Sequence, residues 1–315
     1  MTTILLDALI PIFVGLLLGY LAGRLRLMES RDPENLIALV MDFAIPCALF
    51  YSLSQSTWAG LRDQFRSALV ITAVFCALYA ATFAWARLRF KMSVSDAAVL
   101  ALTVGFPNSA AVAIPLLATA YGPESTVPAA LSIVVGAVTI SPLTVALLDA
   151  DRQSGGKGIS LRNVILDIPR AFKKPVVWVP ILALLWAYFG LHLPSYLART
   201  LQTMGNAATG AALVLTGLVV SSQRFRLTAR VVWTALAIVL IQPVFALGLT
   251  TLLPMSRDQI RDITLISAVP GGFFGLVFGE AFDAVPEEAS SGLILSYALS
   301  AITLALWMLL LARVG

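Results

Sequence analysis

The chain is written in long apolar runs separated by short polar punctuation. A hydrocarbon core needs about 20 apolar residues per helix, and ten runs approach or meet that length: residues 4–21, 35–53, 67–86, 97–121, 125–148, 176–191, 197–220, 229–253, 263–282 and 289–312. The sixth is short, and the fourth and ninth are interrupted by Pro and Gly. Most connections run from a few residues to about a dozen. The longest, 149–174, contains QSGGKG and then ISLRNVILDIPRAFKK, which alternates apolar and basic residues. That pattern suits an interfacial helix or a solvated linker. The predicted fold class is therefore all-α integral membrane protein with ten transmembrane helices.

Composition agrees: 59% of residues are hydrophobic and 12% charged, against about 25% charged in soluble domains. The segment from Ile4 has no Lys or Arg before Arg24, whereas a secretory signal peptide opens on a basic region, so a retained first span is expected. Cys47 and Cys76 both sit in apolar runs. Two unclustered cysteines make neither a disulfide framework nor a metal site, and burial as small apolar residues is expected.

Basic residues set the orientation, because Lys and Arg in short loops stay cytoplasmic. On the side of the odd-numbered connections there are 15 of the 21 Lys and Arg, with 6 on the side of both termini. Both termini are expected outside a cytoplasmic (inner) membrane, with the central loop cytoplasmic. The sequence pI of 9.3 reflects these loops and implies no nucleic-acid partner.

An internal repeat appears at an offset of 163 residues: Pro107 pairs with Pro270, Pro123-Glu124 with Pro286-Glu287, Met41 with Met204 and Ala44 with Ala207. Upstream the register slips, since Pro11 matches Pro180 at an offset of 169. Five spans per half is an odd number, so the second copy must enter the membrane inverted, as in many secondary transporters. The expected organisation is a first repeat over 1–149, a cytoplasmic linker over 150–174 and an inverted repeat over 175–315.

The two interrupted spans carry the candidate chemistry. Proline removes an N–H and clashes with the carbonyl four residues back, and in lipid such irregular backbone survives only where protein or a wet cavity covers it. Pro107 and Pro270 both fall near mid-bilayer at 1.5 Å per residue, approached from opposite sides, so helices 4 and 9 should be broken and should cross. A new half-helix starts after each break with unpartnered N–H groups and about half a positive charge. Asn108 and Ser109 can cap or reach a ligand, while Gly271 and Gly272 leave the backbone bare. Opposed half-helix N-termini would hold a carboxylate without an arginine. Prolines that merely kink helices for packing are the plainer reading.

Ionisable residues inside spans are candidates by default. Asp42 lies near the depth of Pro107, and a carboxylate in a low-dielectric site suits proton coupling. Its repeat mate is Gly205, which makes the adjacent Asn206 a candidate lining residue. Gln242, beside Pro243, is a weaker one. Asp7, Glu280 and Asp283 read as interfacial or solvated, His192 as a loop residue, and Trp58, Trp178 and Trp307 as belt or packing residues.

At GFPNSAAVAIPLLATAYGPE (105–124), KKPVVWVPILALLWAYFGLHLP (173–194) and AVPGGFFGLVFGEAF (268–282) the sequence resembles the auxin efflux carrier family, in particular its bacterial malonate-carrier-like branch. The resemblance covers nearly the whole chain. It implies an inverted five-plus-five fold with crossing fourth and ninth helices, transport of small organic anions, and a homodimer. By position it makes Pro107 and Pro270 the crossovers and Asn108 the carboxylate contact. The family's proline in the seventh span is replaced here by Thr209-Gly210, and the long central hydrophilic loop of plant members is absent.

The expected activity is secondary transport of a small carboxylate, with no cofactor and with H+ or Na+ as the coupling ion. A sodium-coupled symporter of the bile-acid-transporter type is the alternative, and a channel or sensor on the same fold a further one. The absence of HExxH, GxSxG or any plausible dyad argues against an enzyme.

Overall fold

In the computed structural model, residues 2–28, 33–55, 62, 64–154 and 175–314 are described. Trp58 and the linker segment 155–174 lie outside them. Among the described residues the structure is helical, with a single isolated β-bridge and no strand. The helices are α1 (Thr2–Arg24), α2 (Glu34–Ala38), α3 (Ile45–Ser54), α4 (Phe65–Phe90), α5 (Val94–Gly105), α6 (Ile114–Tyr121), α7 (Thr126–Val138), α8 (Ile140–Ser154), α9 (Pro175–Tyr188), α10 (Ser195–Ser222), α11 (Ala229–Leu236), α12 (Gln242–Thr251), α13 (Arg257–Ala268), α14 (Phe274–Ala281) and α15 (Glu287–Val314). Among the described residues, seven helical stretches are long and apolar enough to cross a membrane, and shorter apolar helices cover Val94–Gly105, Ser109–Tyr121 and Trp178–Tyr188. This is a multi-pass membrane protein.

Helix starts follow local chemistry. The Ser93 hydroxyl accepts from the Asp96 N–H at the head of α5. Ser256 and Gln259 form a reciprocal capping box at the head of α13, satisfying two donors that the helix leaves open.

Among the described residues, three π-helical segments, Leu39–Ala44, Ser109–Ala113 and Ala237–Ile241, interrupt the α geometry. Each ends two residues before a proline: Pro46, Pro115 and Pro243. The cause is steric. A proline ring clashes with the carbonyl four residues back and offers it no N–H, and a wider turn makes room. The residue before the proline then bonds five residues back, as Ile45 N–H does to Val40 O and Gln242 N–H to Ala237 O. The carbonyl orphaned by Pro243 is that of Val239, and it accepts from Trp307 Nε1 at 3.1 Å.

Contacts divide the chain into two compact units, one of Met1–Leu69, Ser109–Val134 and Lys173–Ser222, the other of Val70–Asn108, Val135–Phe172 and Gln223–Gly315. Each unit draws elements from both halves of the sequence, so the compact units are not the repeats.

The first unit is organised on α1 against α10. A Cβ on Gly19 would lie 2.1 Å from Val214 O, and one on Gly217 2.1 Å from Leu16 O. The helices therefore meet backbone to backbone, as small residues permit in a bilayer where no hydrophobic drive separates helix from lipid. Helix α10 runs unbroken through Thr209-Gly210. In this unit Cys47 is half-buried, and in the second Cys76 is exposed. The expectation of two buried thiols is thus corrected: Cys76 lies on an outer apolar helix face, where a thiol is as acceptable as inside.

The second unit packs α5 against α8 and α14, and α15 against α11. Gly275 lets α14 approach α5 closely, since a Cβ there would lie 2.8 Å from Val99 O.

Candidate site at the double helix break

Helix α5 ends at Gly105, and Phe106 turns extended at φ −116° and ψ 94°. Helix α13 ends at Ala268, with Val269 extended at φ −66° and ψ 155°. Pro107 and Pro270 sit in these two gaps. The gaps pair with each other: Pro107 and Gly271 form an antiparallel bridge, Asn108 N–H donates to Pro270 O at 2.9 Å, and Gly272 N–H donates to Phe106 O at 2.8 Å. Each break supplies the partners that the other lost, which is what buried backbone away from water requires.

Side chains complete the ladder. Asn108, 1% exposed, donates from Nδ2 to Tyr297 Oη at 2.7 Å, and Tyr297 Oη donates to Gly271 O at 3.2 Å. Phe106 stacks on Phe274 with centroids 5.1 Å apart and 9° between planes. Both glycines are needed for packing. A Cβ on Gly271 would lie 2.6 Å from Thr103 O, and one on Gly272 2.6 Å from Phe106 O. The close approach at these glycines is made by the chain's own backbone.

Ser109 begins the helix Ser109–Tyr121 and belongs to the first unit, the boundary falling between it and Asn108. It is buried and accepts a 2.6 Å hydrogen bond from Ser132 Oγ.

The first unit holds a cavity of about 670 Å³. Its apolar lining includes Ile45, Leu49, Ile114, Ala130 and Ile133. Its polar lining combines Tyr51, Ser52 and Gln55 at the end of α3, Gln202, Asn206 and Thr209 along α10, and Glu124 with Thr126. Helical spacing puts the α10 residues on one face. Among the described lining residues there is no Lys, Arg or His, and Glu124 is the single carboxylate.

Of the residues singled out in the sequence, Pro107, Asn108, Pro270, Gly271 and Gly272 come together at the double break. Asn206 lines the cavity, beside Gly205, and Asp42 does not. Asp42 is half-buried in the first π segment. Gln242 is fully buried in the second unit, and both its amide atoms are without a hydrogen-bond partner. Among the described residues no group of three or more His, Cys, Asp or Glu is placed to hold a metal ion.

Sequence reasoning missed Tyr297, Thr103 and the polar cavity residues other than Asn206. Glu124 had a signal in its Pro-Glu pairing with Pro286-Glu287. Tyr297 had one in standing ten residues inside an apolar helix, far from either interface.

Comparison with known proteins gives a consistent result. Residues 4–308 match the model of a family described as membrane transport protein. The uncharacterized transporter YfdV of Escherichia coli K12 is 26% identical over 310 residues, covering 98% of each chain. An uncharacterized transporter of Methanothermobacter thermautotrophicus is 25% identical over 315 residues, covering 97% of this chain and 98% of its own. A mouse lysosomal cholesterol signaling protein is 24% identical over 323 residues, with 95% of this chain matching 36% of that protein.

Proposed function

Because the chain belongs to the membrane transport protein family, that of the auxin efflux carriers, we propose that it is a secondary active transporter of small organic anions, chiefly carboxylates. It is a transporter and not an enzyme. The finer reading has ten spans in an inverted five-plus-five repeat, with the fourth and ninth crossing at Pro107 and Pro270. It places both termini outside the cytoplasmic membrane.

The observation that supports it is the backbone ladder between Pro107 and Gly271. Two helices that break at repeat-related prolines each start a new half-helix, whose N-terminal partial charge suits an anion. The candidate contacts are Asn108, Gly271 and Gly272 in the second unit, and Ser109 and Asn206 in the first. The uptake of labelled mono- and dicarboxylates into proteoliposomes, under imposed pH or Na+ gradients, tests the proposal. Uptake accelerated by one of the gradients is expected, and the gradient that accelerates it identifies the coupling ion. Failure of every carboxylate to bind or cross overturns the anion reading.

A further inference from the structure

In the second unit, two apolar spans meet water on basic segments that touch each other. Helix α4 closes on WARLRFK (85–91), and QRFRLTAR (223–230) leads into α11. Phe90 joins the two. The Arg230 guanidinium lies 4.2 Å from its ring centroid and that of Arg89 5.9 Å, while Trp85 meets the ring edge-on at 4.5 Å. Ser291 on α15 fixes the second segment: its Oγ accepts from Arg226 N–H at 3.0 Å and donates to Arg224 O at 3.2 Å.

Charge at this surface is not balanced. The two segments carry six Lys and Arg and no Asp or Glu. Glu287 and Glu288 pair with Arg226 and Arg230 at 3.4 and 3.1 Å, and Glu280 accepts from Gln223. Arg89, Lys91 and Arg224 enter no ion pair among the described residues. Arg87 and Arg89 have a plain role in the last turn of α4, where the helix dipole favours cations. Arg230 is the opposite case. It stands in the first turn of α11, which begins at Ala229 and is already partly positive. Such an end suits an anion, and phosphate in particular.

Apolar side chains stand out between these cations. Leu88 is 82% exposed, Leu227 67% and Phe225 49%. Topology requires only the count of Lys and Arg, not this interleaving. A soluble anion would use the cations and leave the three apolar side chains in water. A phospholipid uses both, because the ends of membrane-spanning helices lie where acyl chains meet headgroups. Five of the six cations are arginines, whose planar fork matches phosphate oxygens.

We propose that residues 87–91 and 223–230 form a binding surface for an anionic phospholipid. Its phosphate is held by Arg89, Lys91 and Arg224, and its acyl chains lie against Leu88, Phe225 and Leu227. Bound there, the lipid bridges the ends of α4 and α11. The inference does not depend on what the protein transports.

The test uses purified full-length protein in nonionic detergent, titrated with phosphatidylglycerol, with phosphatidylcholine of the same acyl chains, and with inorganic phosphate. Lipid adducts are counted by native mass spectrometry, and binding of each probe is followed by the shift in melting temperature. Phosphatidylglycerol should bind wild type at least tenfold more tightly than phosphatidylcholine, and the preference should shrink as salt is raised. Each cation removed should weaken it roughly fivefold, so Arg89→Gln, Lys91→Gln and Arg224→Gln together should abolish the preference. A charge-matched control, Arg24→Gln, Arg199→Gln and Arg313→Gln at other exposed sites, should keep it. Leu88→Ser with Leu227→Ser should weaken both lipids. Melting without lipid shows whether each variant is folded, and Arg224→Gln alone carries the test if the triple variant is not. Equal affinity for the two lipids in wild type, or a preference that survives removal of the three cations, overturns the inference. Inorganic phosphate binding as tightly as phosphatidylglycerol overturns it too, by making this a soluble-anion site.

Discussion

Asn108 Nδ2 donates a 2.7 Å hydrogen bond to Tyr297 Oη, tying the residue after one helix break to the hydroxyl that also holds Gly271 O of the other. Tyr297→Phe keeps the ring and removes both bonds. Leaving a buried donor and acceptor without this partner costs about 1–3 kcal/mol. We expect a lower melting temperature in detergent and impaired carboxylate uptake. Unchanged melting would show that the hydroxyl does not brace the breaks.

Gly272→Ala puts a methyl 2.6 Å from Phe106 O, and Gly271→Ala one at the same distance from Thr103 O. Both oxygens are backbone atoms and yield only by moving the main chain. Overpacking of this kind costs about 1–3 kcal/mol. Gly248→Ala meets nothing within 4 Å and should be neutral or stabilising by about 0.5–1 kcal/mol, as expected for a glycine inside a helix. Comparing the three melting curves checks the ranking.

Trp307→Phe removes the donor that serves Val239 O and should destabilise by about 1–3 kcal/mol. Pro243→Ala restores an N–H four residues on, giving that carbonyl a partner of its own. The double variant should therefore lose less than the sum of the two single ones. Strict additivity in the double-mutant cycle would contradict the account.

Gly19→Ala and Gly217→Ala each force a Cβ to within 2.1 Å of a backbone oxygen across the α1–α10 contact. Both should destabilise by about 2 kcal/mol or more, whereas Gly210→Ala, with nothing within 4 Å, should not. Melting curves for the three variants test whether the contact is specified by these glycines.

The helical, membrane-embedded character of the chain was legible in its apolar runs, and the breaks in Pro107 and Pro270. What covers the breaks was not, because the partners are mainly backbone atoms of the other break and carry no residue signature. The glycines read as openings for a ligand are filled by Thr103 and Phe106 carbonyls. Tyr297 was passed over because a tyrosine in an apolar run is ordinarily read as an interface residue, although its depth in the helix Glu287–Val314 argued otherwise. Pro115 became explicable only beside Pro46 and Pro243, when all three followed a widened turn. Glu124 was seen as a repeat marker, and its place in a cavity depends on three separate elements converging.

The widened turn before Pro243 also governs which way the rest of that helix faces. The exposed apolar pairs are Val232 and Trp233, Leu240 and Ile241, and Val244 and Phe245. In an uninterrupted α-helix, twelve residues accumulate about 120° of rotation, so Phe245 would point well away from Trp233. One additional residue in a single turn takes back roughly 100°, and the two ends present one stripe to the lipid. The turn is thus a phase correction, and deletion of one residue within it would leave a regular helix whose far half faces the wrong solvent.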